Sequence, residues 1–391
     1  MHNSSWARQA SCLFLSCVIA PVAVPAQTLT TLHNFDGSDG SQAFNGLVQS
    51  RNGDFYGTTY SGGAHLDGTI FEMTPGGTLV TLHSFDGADG AMPWGGLVQG
   101  ANGDLYATTI VGGAYHTGTI FKITPGGTFN KLHSVARFKD GAEPFGSLAK
   151  GKDGNFYGTT SQGGPHGGGT IFRNTPGGTL TTLYGFCAQI ANNFCVDGNV
   201  PQGGLVQGAN GNFYGTTYAG GLHDAGAIFA ITPGGKLTTL HSFAGMGDDR
   251  DGRQPFAGLV QAGNGNFYGT TIAGGAYNQG TIFEMTPDGA LTTLHNFDGA
   301  DGASPWAGLI QATNRNLYGV TLFGGTHGEG TIFEITLGGK LTKLHSFNAL
   351  DGDGADPLAG LVQGKDGDLY GTTTERGLFG EGTVFKFSLG K

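Results

Sequence analysis

Seven positions along the chain carry a flat side chain that could contact a ligand, and each lies three residues before a glycine. Four of them are imidazoles, which are frequent zinc ligands. The other three are tyrosine or phenylalanine, so the shared property is a planar ring and no metal is expected. Such rings either pack between neighbouring units of the fold or stack on a sugar or a peptide. The positions are His65, Tyr115, His166, His223, Tyr277, His327 and Phe379.

Paired aspartates in glycine-rich stretches offer a second kind of chemistry. Their carboxylate oxygens could bind calcium. However, the stretches lack the alternating acids and the distal glutamate of a complete calcium loop, and Asp-Gly forms tight turns by bonding its own backbone. Turns are therefore favoured, calcium remains an alternative, and no other cofactor is expected. The aspartates are Asp36, Asp39, Asp86, Asp89, Asp298, Asp301, Asp351, Asp353 and Asp356.

Three stretches depart from the repeated pattern, and an active site would be expected there because catalysis needs one constellation of residues. They are the loop from Cys187 to Cys195, the charged run Asp248-Asp249-Arg250-Asp251, and Glu375-Arg376. Paired carboxylates can hydrolyse glycosides, although a structural ion pair is the commoner outcome. Binding is therefore favoured over catalysis, with Asp248 and Asp251 as candidate ligand contacts.

Cys187 and Cys195 are the two cysteines that lie beyond residue 26. A pair of cysteines in one loop of an exported chain predicts a disulfide that pins the loop. A metal site is not expected in this loop, since no histidine lies nearby.

These residues belong to a unit that occurs seven times. Each copy has a leucine, a tyrosine nine residues later and a phenylalanine fifteen residues after the tyrosine. A period of roughly fifty residues, held this strictly, indicates a repeat architecture. The leucines are Leu47, Leu97, Leu148, Leu205, Leu259, Leu309 and Leu361; the tyrosines are Tyr56, Tyr106, Tyr157, Tyr214, Tyr268, Tyr318 and Tyr370; the phenylalanines are Phe71, Phe121, Phe172, Phe229, Phe283, Phe333 and Phe385.

Each copy contains four short apolar or β-branched runs separated by turn residues, without the period of a helix. Asn-Gly or Asp-Gly separates the first two runs, as at Asn52-Gly53, and favours a type I′ hairpin turn. The exception is Asn314-Arg315, which should be strained. Thr-Pro-Gly-Gly, as at Thr74 to Gly77, makes a tight turn between the third and fourth runs. The unit is therefore a four-stranded antiparallel meander.

The predicted fold is all-β: a seven-bladed β-propeller of four-stranded antiparallel blades. A strand of the fourth type, Leu29 to Phe35, precedes the first copy, while the last copy ends after its third strand, near Phe387. We expect the N-terminal strand to complete the last blade, which would leave no open edge. Residues 27–391 would form a single propeller domain, and an open β-solenoid is the alternative.

A second set of histidines falls in the outer strand of the unit, where Tyr184 takes the equivalent place in one copy. Their position predicts a structural role. They are His33, His83, His133, His241, His295 and His345.

All length variation among the copies falls in the connection from the outer strand to the next inner strand. It measures 12 residues from Phe35 to Leu47 and 19 from Phe186 to Leu205. In an up-and-down blade this connection lies on the same face as the loop between the second and third strands. Since loops on a rigid scaffold commonly carry function, a ligand is expected on this face, which we call the variable face.

Residues 1–26 differ from the rest. Arg8 precedes an apolar run from Cys12 to Ala20, and small residues up to Ala26 suit cleavage, so the segment is predicted to be a signal peptide. The run is shorter than the roughly 20 residues of a membrane span. A net charge of −10 with 12% charged residues argues against nucleic acid. A secreted or periplasmic monomer without a membrane span is expected.

The motifs Gly-Leu-Val-Gln, Tyr-Gly-Thr-Thr, Gly-Thr-Ile-Phe, Thr-Pro-Gly-Gly and Leu-His-Ser-Phe together resemble the GloVer tandem repeat of exported bacterial choice-of-anchor proteins. The resemblance covers Leu29 to Phe387. It implies a bacterial exported repeat protein, and it supplies no catalytic residues because the family has no established activity. Some members end in a sorting anchor, whereas this sequence stops at Lys391, four residues beyond Phe387, so a freely secreted or periplasmic protein is expected in preference to one fixed to a wall or membrane.

The sequence therefore predicts a secreted interaction module that binds extracellular carbohydrate, peptide or protein through its variable face. A polysaccharide-active hydrolase or lyase is one alternative. A structural component of an envelope or matrix is another.

Overall fold

The computed structural model describes residues 27–245 and 250–390, which form seven four-stranded antiparallel sheets. The predicted signal peptide lies outside the described residues. Within them, one short 3₁₀ turn (Ala349–Asp351) accompanies the strands, and no helix is long and apolar enough to cross a bilayer. The architecture is the predicted seven-bladed β-propeller.

The strands follow the repeat closely. The N-terminal strand is β1 (Thr28–Asn34). The first blade contains β2 (Val48–Gln49), β3 (Phe55–Thr59), β4 (Thr69–Met73) and β5 (Leu79–Ser84); the second contains β6 (Val98–Gln99), β7 (Leu105–Thr109), β8 (Thr119–Ile123) and β9 (Phe129–Ser134). The third contains β10 (Ala149–Lys150), β11 (Phe156–Thr160), β12 (Thr170–Asn174) and β13 (Leu180–Gly185), and a small hairpin follows, β14 (Ile190–Ala191) and β15 (Phe194–Cys195). The fourth contains β16 (Val206–Gln207), β17 (Phe213–Thr217), β18 (Ala227–Ile231) and β19 (Leu237–Ser242); the fifth contains β20 (Val260–Gln261), β21 (Phe267–Thr271), β22 (Thr281–Met285) and β23 (Leu291–Asn296). The sixth contains β24 (Ile310–Gln311), β25 (Leu317–Thr321), β26 (Thr331–Ile335) and β27 (Leu341–Ser346); the seventh contains β28 (Val362–Gln363), β29 (Leu369–Thr373) and β30 (Thr383–Ser388).

The N-terminal strand closes the ring as predicted. β1 pairs antiparallel with β30, with Thr28 opposite Ser388 and Asn34 opposite Thr383, and the register shifts by one residue at a bulge between Thr31 and His33. The inner edges of the first and last blades also meet, because a Cβ placed on Gly46 would lie 2.7 Å from the carbonyl oxygen of Gly360. The seventh blade is therefore a four-stranded sheet made from both ends of the described chain.

The strict spacing of the repeat reflects packing between blades. At four of the seven junctions the tyrosine of one blade lies against the aromatic residue that begins the second strand of the next, as for Tyr106 and Phe156 with ring centroids 4.1 Å apart. Leucine takes the aromatic place at the other three junctions: Leu105, Leu317 and Leu369. At six of the seven junctions the phenylalanine that follows the outer strand meets the third-strand phenylalanine of the next blade edge-on, as for Phe85 and Phe121 at 5.3 Å, and Val135 takes its place at the other. A shift of one residue would turn these rings to the opposite side of their strand, so the spacing cannot drift.

Glycine in the Tyr-Gly-Thr-Thr motif makes room for the blade's own core. A Cβ on Gly215 would lie 2.7 Å from Phe229 Cζ and 2.8 Å from Leu205 Cδ2. Ala107 occupies this place in the second blade and is fully buried. At the turn where glycine is replaced, Arg315 adopts a φ of 71°, which agrees with the strain predicted for Asn314-Arg315.

Candidate functional site

The two kinds of connection predicted to share the variable face are bridged to each other in every blade. In the first blade, Ser41 and Ser61 exchange backbone hydrogen bonds of 2.9 and 3.2 Å. Equivalent bridges join Ala91 to Val111, Ala142 to Gln162, Asn199 to Ala219, Arg253 to Ala273, Ala303 to Phe323 and Ala355 to Glu375. The variable face is therefore a continuous surface of paired loops.

A central cavity of about 360 Å³ lies on the axis of the ring and is lined by all seven blades. Its wall is the segment that precedes each inner strand, which is the last part of the length-variable connection. Three residues before the repeated leucine, five blades place a half-buried aromatic ring at this wall and two do not. We call these seven residues the mouth: Phe44, Trp94, Phe145, Gln202, Phe256, Trp306 and Leu358.

The aromatic rings of the mouth form two arcs. In one, Phe44 and Trp94 are stacked with centroids 4.4 Å apart, and Phe145 meets Trp94 edge-on at 5.3 Å. In the other, Phe256 and Trp306 lie 4.5 Å apart at 45°. Gln202 and Leu358 separate the arcs, so the sevenfold scaffold carries a mouth without sevenfold symmetry.

A backbone feature of all seven blades and a side-chain hydrogen bond of five of them hold the mouth segments in place. Two residues before every mouth position, the backbone adopts a left-handed φ between 51° and 58° without glycine, a conformation that persists only when the surroundings impose it. At Met92, the amide donates to Asp67 O at 2.8 Å and the carbonyl accepts from Ile110 N at 3.2 Å. The equivalent residues are Gln42, Glu143, Val200, Gln254, Ser304 and Asp356.

The first threonine of Tyr-Gly-Thr-Thr provides the second restraint by donating across the blade junction. Thr372 Oγ1 lies 2.8 Å from Ala43 O, next to Phe44, and Thr108 Oγ1 lies 3.1 Å from Pro144 O, next to Phe145. Val320 replaces this threonine in the sixth blade, so the segment that carries Leu358 receives no such hydrogen bond. Thr58 Oγ1 of the first blade has no hydrogen-bond partner among the described residues, so the segment of Trp94 also lacks this contact, whereas Thr159 Oγ1 donates to Gly203 O, next to Gln202, at 3.2 Å.

Two amides of the mouth wall have unused hydrogen-bonding capacity. Asn45 Nδ2 and Gln202 Oε1 are both buried and have no hydrogen-bond partner within the described part of the chain. A buried polar atom without a partner costs about 1–3 kcal/mol. Both residues line the cavity but these two atoms are enclosed, so either side chain would have to rotate before the atom could pair with a ligand there.

The seven planar residues predicted as ligand contacts lie elsewhere on the variable face. All are exposed, and none lines the central cavity. Their loops lean on the outer strand of their own blade: Ala64 N, beside His65, lies 3.4 Å from Ser84 Oγ, and Leu378 N, beside Phe379, lies 2.8 Å from Asn34 Oδ1. Because they lie beside the outer strands and away from the central cavity, these residues form an outer rim of the variable face. We call them the rim: His65, Tyr115, His166, His223, Tyr277, His327 and Phe379.

The paired aspartates serve the backbone and the outer-strand histidines. Asp36 Oδ1 accepts from Ser38 N at 2.8 Å, a local turn, and Asp39 Oδ2 lies 2.7 Å from His33 Nε2. The same imidazole–carboxylate contact recurs in five other blades, and Tyr184 donates to Asp197 at 2.7 Å in the remaining one. Among the described residues, no three His, Cys, Asp or Glu side chains come together as a metal site.

The predicted disulfide between Cys187 and Cys195 is present. It closes the hairpin β14–β15, whose turn residues Asn192 and Asn193 have φ of 52° and 68°, as a type I′ turn requires. Gly168 provides the space, since a Cβ there would lie 2.7 Å from Cys187 Sγ. Every other blade except the fourth, which has alanine, carries a larger residue at this position.

The remaining symmetry-breaking residues are only partly placed. Asp248 lies outside the described residues. Asp251 Oδ2 lies 2.8 Å from His241 Nε2, so Asp251 has the same structural contact as its counterparts in other blades. Burial, together with the carboxylates of Glu375 and Glu329, raises the pKa of Asp356 to about 6.

Sequence reasoning missed the mouth, although a signal for it existed. Five of the seven copies place Phe or Trp three residues before the repeated leucine. In six copies proline directly precedes that mouth position. This signal lies inside the length-variable connection, where a recurring aromatic residue is easily overlooked.

Comparison with known proteins supports the repeat and the fold. The sequence model of the Gloeobacter/Verrucomicrobia repeat matches residues 18–208 and again residues 201–391. A search of curated protein sequences finds no match. A streptogramin B lyase structure is similar with a TM-score of 0.62 and 17% identity, covering 94% of this chain and 99% of that one. Virginiamycin B lyase from Staphylococcus aureus gives 0.59 and 14%, covering 93% and 99%. The extracellular domain of a protein described as a hybrid two-component system from B. thetaiotaomicron gives 0.60 and 10%, covering 92% and 39%. At these identities the likeness shows the fold alone.

Proposed function

We propose that this chain, which belongs to the Gloeobacter/Verrucomicrobia repeat family, is an exported binding module that takes an uncharged carbohydrate into the mouth of its variable face. The proposal rests on the five aromatic rings that line a cavity of about 360 Å³ on the propeller axis. The signal-peptide pattern of residues 1–26 and the disulfide support export, since disulfides persist in oxidising compartments.

The cavity lining suits a sugar because it combines aromatic surface with a few convergent polar groups. Such a combination is characteristic of small-molecule sites, and a pyranose offers an apolar face for stacking and hydroxyls at its edge. After a rotation of the side chain, Asn45 Nδ2 would donate to a sugar oxygen and Gln202 Oε1 would accept from a hydroxyl, since both enclosed atoms lack partners within the described part of the chain.

The cavity lining also limits the charge of the ligand. Among the described residues, no Asp, Glu, Lys or Arg lines the cavity. A phosphate, a uronate or a charged peptide terminus would lose its hydration there without gaining an ion pair, which is costly. A neutral oligosaccharide therefore fits better than a nucleotide, an acidic sugar or a peptide end.

A polysaccharide-active hydrolase or lyase is the second candidate, and Asp356 is the observation that favours it. Its carboxyl, with a pKa of about 6, lies two residues before Leu358 of the mouth. A pKa near the working pH suits a general acid or base. If this reading holds, Asp356→Asn abolishes the release of shorter products from a polysaccharide but leaves binding intact.

Tryptophan fluorescence provides the test of binding. Beyond residue 26 the chain has two tryptophans, Trp94 and Trp306, and both lie in the mouth. A glycan array on the purified protein selects candidate oligosaccharides, and titration should then change the emission of the protein. Trp94→Leu and Trp306→Leu should each weaken binding about tenfold or more, the loss expected of a hot-spot residue.

The matched control changes the opposite face. Asn210 and Lys236 lie in the turns between the first and second strands and between the third and fourth strands of the fourth blade. The double variant Asn210→Ala, Lys236→Ala should bind as the wild type does. The assignment fails if this variant loses affinity and the mouth variants, shown to be folded by circular dichroism, retain it. Absence of any glycan binding would favour a structural role in an envelope or matrix.

A further inference from the structure

The exposed apolar surface of the propeller is concentrated on one face. Twelve large apolar side chains are exposed among the described residues, and eleven of them belong to connections of the variable face. The exception is Val80, in the outer strand β5. The eleven are Leu66, Tyr115, Phe138, Ile190, Phe194, Leu222, Tyr277, Phe323, Leu350, Leu378 and Phe379.

These side chains are distributed around the whole circumference. The loop between the second and third strands contributes at least one in every blade but the third, where Phe138 and the disulfide hairpin supply others. Exposure reaches 94% at Leu350 and 86% at Phe138. Single exposed apolar residues are ordinary, but a one-sided concentration indicates a surface that is covered in use.

The size of this surface excludes a small ligand as its occupant. The rim loops lean on the outer strands, whereas the mouth lies on the axis, so the two sets do not share one pocket. The rim rings combine a flat apolar face with, in Tyr115, Tyr277 and the four histidines, a polar group. Contacts of this kind are individually weak and lie far apart on the disc. They would add to the affinity of the protein only if the target is extended enough to touch several of them at once.

Charge on the same face selects an uncharged target. Exposed carboxylates of Asp36, Asp86, Asp298 and Asp351 lie in the connections of this face, and the chain has a net charge of −10. Peripheral membrane binding normally combines apolar residues with clustered Lys and Arg, which attract anionic lipids. Here the exposed basic residues Arg137, Lys139, Arg250 and Arg376 are spread over three loops among the carboxylates, without the clustering that would attract an anionic membrane or an acidic polymer.

We propose that the rim adsorbs the propeller, variable face down, onto an insoluble uncharged polysaccharide while the mouth holds one of its chains. This inference rests on the proposed function of the mouth, and it adds that the target is a polymer surface. The rim side chains would stack on sugar faces, and the neighbouring aspartates would accept hydrogen bonds from hydroxyl groups.

The experiment measures depletion of the protein from solution by crystalline cellulose, crystalline chitin and insoluble β-1,3-glucan. The triple variant Tyr115→Ser, Tyr277→Ser, Phe379→Ser should reduce partitioning onto the bound polymer at least tenfold. All three side chains are more than half exposed, so the fold should tolerate the changes. Val80→Ser is the matched control, since it removes an exposed apolar side chain that lies outside the variable face, and it should adsorb as the wild type does.

The two proposals can fail separately. Tryptophan titration with the soluble oligosaccharide should be unchanged in the rim variant. If the rim variant adsorbs as well as the wild type, the inference is overturned even when the mouth binds sugar. If adsorption depends on the rim but no soluble oligosaccharide binds, the surface inference stands and the function of the mouth is refuted. If the protein binds phosphatidylcholine vesicles through the rim and adsorbs to none of the polymers, the polysaccharide-surface inference is overturned and the rim is a lipid-binding surface.

Discussion

Removal of the Phe35 ring should open the propeller at its N-terminal seam. Phe35 is fully buried, and its ring lies 5.5 Å from that of Phe71 and 5.2 Å from that of His33. Replacing a buried phenylalanine by alanine costs about 3–5 kcal/mol. Phe297 makes matching contacts, at 5.4 Å to Phe333 and 5.1 Å to His295. Phe297→Ala should therefore cause a similar loss in the free energy of unfolding.

The two variants should differ in where they open. β23, before Phe297, is joined covalently to the third strand of its own blade, whereas β1 is joined to β30 by pairing alone. Hydrogen exchange of the amides of Thr28–Asn34 should therefore accelerate selectively in Phe35→Ala, while exchange of Leu291–Asn296 in Phe297→Ala should follow global unfolding. Denaturant titration gives the energies. Val135 occupies the equivalent place at one junction, so Phe35→Val should be intermediate. A loss below about 1 kcal/mol in Phe35→Ala, or unchanged exchange of β1, would refute the account.

Three other predictions follow from charge and cross-linking. Burial, and then a neighbouring carboxylate, raises the pKa of six tyrosines to about 12. Because this pKa is above the unfolded value of about 10, the stability that these tyrosines contribute should be fully present below pH 10 and should decline as the pH rises towards 12. Spectrophotometric titration should show that tyrosinate absorbance appears at a higher pH in the folded protein than in the unfolded protein. Folding favours the protonated form of Asp356, whose pKa is about 6, so stability is lost as the pH rises through that value. Asp356→Asn should therefore stabilise the protein by roughly 1–2 kcal/mol near pH 8 and leave its stability unchanged near pH 4. Thermal melts of both forms at the two pH values measure the difference. The double variant Cys187→Ser, Cys195→Ser should lose roughly 2–3 kcal/mol of local stability, seen as protease cleavage between Ala188 and Phe194 with little change in melting temperature; equal cleavage of both forms would contradict this. The tyrosines are Tyr56, Tyr157, Tyr184, Tyr268, Tyr318 and Tyr370.

The blade and its repetition could be predicted because packing fixes them locally. A repeated tyrosine that must stack on the next blade cannot move by one residue, and the motifs around it identify the turns directly. Pairing of β1 with β30 followed from counting strands at the two ends. The disulfide followed from two cysteines in one loop.

The radial position of the candidate site could not be predicted in the same way. Sequence spacing shows which face a loop occupies, but its distance from the axis depends on contacts between loops. His65 is drawn outwards because its neighbour Ala64 bonds to Ser84 of the outer strand. Phe44 is held at the axis because Thr372 of the last blade bonds to Ala43. Ser84 and Thr372 both belong to repeated motifs, but the motifs do not show which loop each side chain contacts.

Specificity of the mouth must arise where the repeat is broken. A ring of seven identical residues would offer a ligand seven equivalent orientations, and none would be selected. Gln202 and Leu358 divide the aromatic wall into an arc of three rings and an arc of two. Gln202 also supplies the unpaired acceptor, in the segment that follows the disulfide hairpin. Selection should therefore depend more on Gln202 than on any single ring: Gln202→Leu would retain the stacking surface and lose the preference among sugars.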